Sequence, residues 1–530
     1  MDNVLISDEN LKKPSKPAYY GTAGYRSKTS DLNNILCRGS LIAYLRSTTF
    51  AGKIIGVMIT ASHNPVEYNG IKIIDHNGDM LDETWEEYSD RIVNCDDDKL
   101  PREMKRILRS CSNQSELGEG VQGHVVLGRD TRDSGKKLCD NIRSVLSKLN
   151  CTVDDYGVVT TPELHFLVRR CNVENKVVDK TEYLKNIVSN FSRLSSLTKG
   201  NFKTMVDTAN GVAGMKLKEL DEMLEGRLNY GILNDPKGIL NLDCGADFVK
   251  TKKMAPKLEV FNSSEFSPPS NGICASFDGD VDRLIFFTGP KNTEIFDGDS
   301  QAVFLALYIR SLLDKIGSRL SIGVVLSYYS NNAAVDALPP KLFKVVMAQT
   351  GVKNFVSAAR NFDIGVYFEP NGHGSVCFSQ ACIDEIERGS SKHHTILKSL
   401  VNLFDPCIGD ALGNFMIFKA LMADADDLRK FRENPSRLLT VKIEDKNSIK
   451  VDHKNQVIEP KELQDKIDEE ALSLGGRSFV RPSGTEDVVR VYAECPTEAD
   501  ADLLCLKVAQ HVYDMCRGVG DHPEIDYTNK

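Results

Sequence analysis

Ile54-Ile55-Gly56-Val57-Met58-Ile59-Thr60-Ala61-Ser62-His63-Asn64-Pro65 decides how this chain is read. The first six residues are an apolar run of strand length, which predicts a buried strand. The next six are small or polar and end in Asn-Pro, a turn signal, so they form a loop at the strand's end. Such a loop presents a hydroxyl to a cleft while the strand behind it stays rigid. A serine alone is a weak nucleophile and needs a base, a lowered barrier or a metal. Taken in isolation, Ser62-His63 reads more readily as a turn whose serine caps backbone amides.

Outward from this stretch, strands and helices alternate. After the loop, Asn69-Gly70 between apolar runs predicts a tight turn, with Lys72 on the strand that follows it and close enough to return toward Ser62. His124–Gly128 is a strand leading into Arg129-Asp130-Thr131-Arg132-Asp133-Ser134-Gly135 and a helix from about Lys136. That loop suits either an internal ion network or an anion site. Thr161 is the expected N-cap of a helix opened by Pro162. A second unit begins at strand Lys203–Asp207. A third begins near Phe296, with a helix to about Lys315 and strands at Ile322–Leu326 and Lys344–Val346. From about 436 the pattern changes to strand Leu438–Ile443, helix Glu462–Leu474, strands Arg477–Arg481 and Val488–Glu494, and a helix capped by Thr497. The expected fold is three tandem α/β domains, 1–178, 179–294 and 295–432, followed by a smaller α+β domain, 433–530. Residues 1–18 read as a loosely held arm, Asp96-Asp97-Asp98 as solvated surface, and 255–272 as a loop.

The 530 residues suit three to four domains on a length prior of ~150 each. Hydrophobic residues at 41% and charged residues at 27% describe an ordinary globular protein. A net charge of -9 argues against a general binder of nucleic acid or anionic membrane. No run approaches the ~18 apolar residues of a membrane span, and the N-terminus lacks the pattern of a secretory signal. The 14 cysteines are scattered without a CxxC pair, which predicts free thiols in a reducing cytoplasm.

Four further stretches carry chemistry. Asp278-Gly279-Asp280-Val281-Asp282-Arg283 sits between apolar strands Ile273–Phe277 and Leu284–Phe287. Three carboxylates at alternate positions, with a glycine permitting a bend, can converge on one hard cation; all-oxygen ligation suits magnesium, with calcium the competing metal although the spacing is not that of an EF-hand. A plain salt-bridge reading needs nearby cations, and only Arg283 is adjacent. Glu369-Pro370-Asn371-Gly372-His373-Gly374 ends a strand. There Glu369 and Asn371 are placed for sugar hydroxyls, and Asn371 and His373 for an amide, unless the turn spends them on its own backbone. Arg481-Pro482-Ser483-Gly484-Thr485-Glu486, with Arg490, offers charged donors, hydroxyls and amides to a dianion. Tyr20-Gly21-Thr22-Ala23-Gly24-Tyr25-Arg26 allows tight turns and points Arg26 at an anion.

In this order, the serine, aspartate, sugar and phosphate loops resemble the α-D-phosphohexomutase superfamily. The Asn-Gly-His form of the sugar loop resembles its N-acetylglucosamine branch. The resemblance runs from Gly21 to about Glu494. It implies mixed sheets around a central cleft and interconversion of N-acetylglucosamine 6-phosphate and 1-phosphate, supplying UDP-N-acetylglucosamine synthesis. It implies that Ser62 is the phosphorylated residue. Asp278, Asp280, Asp282 and an oxygen on Ser62 then hold Mg2+, and a hexose 1,6-bisphosphate, such as that of N-acetylglucosamine, is the primer. Glu369, Pro370, Asn371 and His373 form the sugar loop, with Pro370 in place of a small residue. Arg481, Pro482, Ser483, Gly484, Thr485 and Arg490 form a distal phosphate clamp. His63, Lys72 and Arg26 are the candidates for proton transfer and charge stabilisation. Many members carry histidine where Val352 stands, which leaves Lys353 for that polar role. The implied partner is a small sugar phosphate, with no nucleic acid and no membrane. The alternatives are a glucose or mannose phosphomutase, or a catalytically silent sugar-phosphate-binding protein.

Overall fold

The computed structural model describes residues 7–21, 24–111, 120–198, 200, 202–235, 238–257, 273–289, 293–422, 432–452, 454–483 and 487–524. β1 (Tyr25–Lys28), β2 (Ile54–Ile59), β3 (Tyr68–Ile74), β4 (Gly123–Arg129) and β5 (Cys151–Val158) form a sheet ordered β1-β3-β2-β4-β5. β3 is antiparallel to β1 and β2, whereas β2, β4 and β5 run parallel. β2 is buried along its whole length, as a central strand covered on both faces must be. Helix Asn33–Thr49 packs into the core on one face and helix Thr161–Glu174 into the core on the other.

A second sheet repeats the plan. β6 (Thr204–Asp207), β7 (Tyr230–Leu233), β8 (Cys274–Phe277), β9 (Leu284–Phe287) and β10 (Ile295–Phe296) are ordered β10-β9-β8-β6-β7. β8, β6 and β7 are parallel, and β9 and β10 add an antiparallel edge. β11 (Ile322–Ser327), β12 (Lys344–Ala348), β13 (Ile364–Phe368) and β14 (Gly374–Phe378) form a third sheet, ordered β12-β11-β13-β14. β15 (Ser436–Lys442), hairpin β16 (Lys450–Val451) and β17 (Val457–Glu459), β18 (Arg477–Pro482) and β19 (Val488–Glu494) complete the strands. Of these, β15-β19-β18 form an antiparallel sheet with its own core. The chain divides into two compact units, Met1–Val324 with Gly351–Leu428 and Val325–Thr350 with Arg429–Lys530. This is the expected α/β architecture with mixed sheets. All 14 cysteines are free thiols. Among the described residues no helix is long and apolar enough to cross a membrane.

Four local expectations need correction. Asn69-Gly70 is not a turn but lies inside β3, and the reversal is made by the serine loop before it. A Cβ on Gly70 would stand 2.3 Å from the Tyr25 carbonyl oxygen, so glycine is there for close strand approach. The arm before β1 is tied down from Asp8 onward. Leu11 is buried, and the fully buried Arg38 donates to the carbonyls of Leu11, Ile92, Val93 and Cys95. Asp97 pairs with Arg38 at 2.7 Å and Asp96 with Lys13 at 2.9 Å, so the aspartate run anchors that arm instead of only facing solvent. The N-cap of helix Thr161–Glu174 is Thr160, in a reciprocal capping box with Glu163. Thr161 is released for another task. The 258–272 part of the expected loop lies outside the described residues.

Glu163 is a packing hinge as well as a cap. Its second oxygen accepts from Lys216 at 2.9 Å, and both side chains are buried. Glu163→Ala removes the cap and leaves the Lys216 ammonium only its half-exposed partner Glu219 at 3.2 Å, which is expected to destabilise the protein by about 2–4 kcal/mol. Urea unfolding measures this, and a loss below about 1 kcal/mol would show that the pair merely breaks even.

Candidate active site

The loops that follow parallel strands build the site. Ligands bind outside the carboxyl ends of such strands, because loops from neighbouring strands meet there. The Ser62 loop follows β2, and the Asp130–Arg132 loop follows its parallel neighbour β4. The Thr208–Gly211 and Asp278–Asp282 loops follow the parallel pair β6 and β8.

Ser62 is 1% exposed and its Oγ donates to Asp278 Oδ2 at 2.7 Å. Its backbone has a φ of 53°, a left-handed conformation unusual for a residue with a Cβ. The surrounding structure imposes it. The Ser62 amide donates to Thr60 Oγ1 at 2.9 Å, and Thr60 in turn donates to Asp130 Oδ2 at 2.7 Å. Buried Arg132 pairs with Asp130 and spreads its donors over the carbonyls of Asn64, Ser62 and Tyr68 at 2.6, 3.3 and 2.7 Å. Asn241 Nδ2 donates to the Ser62 and Asn64 carbonyls at 2.8 and 3.2 Å. The arginine loop thus resolves to an internal network that cradles the serine.

The aspartate loop lies against this cradle. A Cβ on Gly279 would stand 2.8 Å from the Ser62 carbonyl oxygen, so only glycine admits the contact. Asp278, Asp280 and Asp282 are buried, and one oxygen of each lies within 4.8 Å of the others. Val281 between them adopts a φ of 66°, costly for a β-branched residue. Lys72 supplies the cation that a salt-bridge reading requires, 2.8 Å from Asp280 Oδ2 and 3.1 Å from Asp282 Oδ2. Thr161 Oγ1 donates to the same Asp280 oxygen at 2.6 Å. Lys72 does not complete the site, however. Among the described residues Asp280 Oδ1 and Asp282 Oδ1 are buried without a hydrogen-bond partner, Asp282 Oδ1 having only His373 Nδ1 at 3.8 Å and Arg283 Nε at 3.9 Å beside it. Two orphaned carboxylate oxygens beside a third carboxylate fit a hard divalent cation.

The electrostatics follow from burial and spacing. Burial, reinforced by repulsion from Asp282 and Asp280, holds the Asp278 carboxyl well above the usual range. Burial also pushes Asp280 and Asp282 up, but the Lys72 ammonium together with the Thr161 hydrogen bond on Asp280, and with His373 and Arg283 beside Asp282, outweighs it and both stay below the usual range. Burial lowers Lys72, and the two carboxylates overcome it and hold it charged. His63 lies with Nδ1 3.5 Å from Ser62 Oγ. Burial, then the guanidiniums of Arg283 and Arg26, pushes its imidazole down to about 3, so it is neutral. Arg26, on β1, donates to Asn64 Oδ1 at 3.2 Å, and its buried Nε has no hydrogen-bond partner among the described residues.

The sugar loop joins the same unit. Gly372, with a φ of 86°, accepts from the Leu284 amide at 3.2 Å, next to the aspartate loop. Glu369 accepts from the Gly351 amide at 3.1 Å, and Asn371 Oδ1 accepts from the His373 amide at 2.9 Å. Part of the loop's polarity is therefore spent on the turn itself. His373 is 4% exposed, bonded through Nε2 to the Gly409 amide, with Nδ1 3.8 Å from Asp282 Oδ1. It faces the aspartates. Lys353 is ion-paired with Glu86.

On the other unit, Arg481 and Arg490 are cross-strand partners on β18 and β19, both exposed. Like charges directly opposite one another destabilise a sheet, and a bound dianion relieves them. Ser483 follows, its amide donating to the Val488 carbonyl at 2.8 Å. Gly484, Thr485 and Glu486 lie outside the described residues.

Thr161, Arg132 and Asn241 escape the motif search. Thr161 was absorbed by its resemblance to a cap. Arg132 stood in a charged loop with two readings, and nothing local marks Asn241.

Four family models match. They are phosphoglucomutase/phosphomannomutase α/β/α domain I over residues 41–96 and 106–178, phosphoacetylglucosamine mutase AMG1 domain II over 187–285 and domain III over 297–426, and the phosphoglucomutase/phosphomannomutase C-terminal domain over 438–511. The chain is 87% identical, over 530 residues and the full length of both, to a probable phosphoacetylglucosamine mutase of Encephalitozoon cuniculi. It is 35% identical to the N-acetylphosphoglucosamine mutase of Aspergillus fumigatus solved with GlcNAc-6P and magnesium, covering 97% of this chain and 99% of that one with a TM-score of 0.88. A second structure of that fungal mutase, a variant with glucose 1,6-bisphosphate, is 34% identical, with a TM-score of 0.85 over 97% of this chain and 98% of that one. The chain belongs to the phosphoacetylglucosamine mutase family of the α-D-phosphohexomutase superfamily.

Proposed function

We propose that the chain interconverts N-acetyl-D-glucosamine 6-phosphate and 1-phosphate through a phosphorylated Ser62. The observation that carries this is the Ser62 hydroxyl on Asp278, beside the unpartnered oxygens of Asp280 and Asp282. A hydroxyl so placed accepts and returns a phosphoryl group where a cation neutralises the charge. Magnesium, held by Asp278, Asp280, Asp282 and an oxygen on Ser62, supplies that neutralisation when bound. The fungal relative with GlcNAc-6P and magnesium supports this choice of ion and sugar.

Phosphoserine 62 transfers its phosphoryl group to the free hydroxyl of the sugar monophosphate. The Ser62 O–P bond breaks, a sugar O–P bond forms, and the proton lost by the sugar hydroxyl is taken up by the freed Ser62 oxygen. The resulting 1,6-bisphosphate turns round and returns its other phosphoryl group to Ser62. A hexose 1,6-bisphosphate primes an unphosphorylated enzyme, in line with the glucose 1,6-bisphosphate complex of the relative. His63, whose Nδ1 lies 3.5 Å from Ser62 Oγ, is our candidate to relay that proton, since Lys72 is already charged and paired. Lys72 and Arg26 offset the phosphoryl charge. Glu369 and Asn371 contact the sugar beside Pro370, and His373 orients Asp282. Arg481, Pro482, Ser483, Gly484, Thr485 and Arg490 hold the phosphate that is not reacting. In domain terms the serine lies in 1–178, the aspartates in 179–294, the sugar loop in 295–432 and the phosphate loop in 433–530. Free thiols throughout agree with a reducing cytoplasm, where the product feeds UDP-N-acetylglucosamine synthesis.

The test is kcat/KM for N-acetylglucosamine 1-phosphate against glucose 1-phosphate, with magnesium and catalytic bisphosphate. A preference of at least tenfold for the acetylated sugar is expected, about 1.4 kcal/mol of transition-state discrimination. A preference for glucose 1-phosphate would overturn the specificity while leaving the phosphoserine chemistry in place.

A further inference from the structure

Arg481 is an exposed arginine on the end of β18, opposite Arg490. Such a side chain is normally free in water, with many rotamers and with repulsion from its neighbour driving it outward. Here it is pinned. Its Nη1 donates to the Tyr329 hydroxyl at 2.8 Å, and its guanidinium carbon lies 5.5 Å from the centre of the Tyr329 ring. The Tyr329 hydroxyl passes its own proton on to Asn455 Oδ1 at 3.2 Å. Both supports are themselves fixed. The Tyr329 ring packs edge-on against Phe479 at 5.2 Å, and Phe479 stacks on Tyr492 at 4.8 Å. Asn455 is 8% exposed, at the tip of the β16–β17 hairpin in a left-handed conformation, φ 61°. Arg481, Tyr329 and Asn455 line an open cleft of about 310 Å3 together with Gln349, Thr350 and Asp452.

We infer that Tyr329, backed by Asn455, is a positioning residue that holds the Arg481 guanidinium in its phosphate-binding orientation. The inference rests on the reading of Arg481 as part of the phosphate clamp. The hydroxyl is the operative group. It accepts from the arginine because it has an acceptor of its own for its proton, so the chain from Arg481 through Tyr329 to Asn455 has one direction. Pre-ordering the guanidinium removes a rotamer loss that binding would otherwise bear. The effect therefore falls on substrate affinity and leaves the phosphoryl-transfer step alone.

The experiment is a double-mutant cycle on the full chain, measuring KM for N-acetylglucosamine 6-phosphate and kcat at saturating substrate. Arg481→Ala is expected to raise KM about 20-fold or more, as loss of a charge-assisted contact does. Tyr329→Phe keeps the ring and its packing, and is expected to raise KM about fivefold with kcat within about twofold. Asn455→Leu should reproduce the Tyr329→Phe effect. The double variant Tyr329→Phe/Arg481→Ala should be no worse than Arg481→Ala alone, since tyrosine acts through arginine. An unchanged KM in Arg481→Ala would overturn the clamp and this inference together. A raised KM in Arg481→Ala with an unchanged KM in Tyr329→Phe would overturn the inference alone. Additive effects in the double variant would also overturn it, because a general structural role adds and a role through Arg481 does not.

Discussion

Ser62→Ala is expected to lower kcat by about 10^4-fold or more, the range seen when a covalent catalyst loses its attacking atom. In the proposed mechanism this hydroxyl carries the phosphoryl group between the two sugar oxygens. The fold should survive the change. Ser62 Oγ makes one close hydrogen bond, to Asp278, and the loop is held by its backbone through Thr60, Arg132 and Asn241. Losing that bond costs about 1 kcal/mol, small against the stability of a domain. Incubation with labelled N-acetylglucosamine 1,6-bisphosphate should leave phosphate on Ser62 of the parent and none on the variant. A variant that turned over within tenfold of the parent would remove Ser62 from the mechanism.

Asp280→Asn should have the second largest effect. The substitution keeps shape and volume but removes the charge that Lys72 and Thr161 share and that a cation requires. Asp280 Oδ1 is buried with no hydrogen-bond partner among the described residues, so it is a prime ligand position. Magnesium affinity, measured by calorimetry, is expected to fall by about 100-fold or more, and kcat/KM by about 10^3-fold. Dialysis of the parent against EDTA should abolish turnover, and added magnesium should restore it. If Asp280→Asn bound magnesium as the parent does, the three aspartates would be a salt-bridged structural cluster around Lys72 and not a metal site.

The mechanism's parts differ in how visible they are from the chain alone. The three aspartates are visible because their function and their crowding come from the same short stretch. Alternate carboxylates with one glycine have few other uses. The sugar loop is visible as a strand end, but its use is not. His373 turns out to face Asp282, because the tight turn at Gly372 packs against Leu284 and carries the ring inward. Asn69-Gly70 misleads, since the features that favour a turn also permit close strand contact, and only the register with Tyr25 and Arg26 separates them.

By itself the sequence determined the α/β rhythm, the strand that carries Ser62, the aspartate bend and the arginine pair of the last sheet. Each is a local pattern of burial, spacing or turn chemistry, and local patterns survive in one dimension. The tertiary structure alone decided what holds Ser62 in place. Arg132 arrives from the neighbouring parallel strand and Asn241 from the second sheet's loops, and both reach the same two carbonyl oxygens. It also decided that Lys72 spans Asp280 and Asp282 while leaving one oxygen of each without a hydrogen bond among the described residues. Those contacts join residues far apart in the chain through buried, directional hydrogen bonds. Their geometry exists only once the sheets have packed, and no run of neighbouring residues records it.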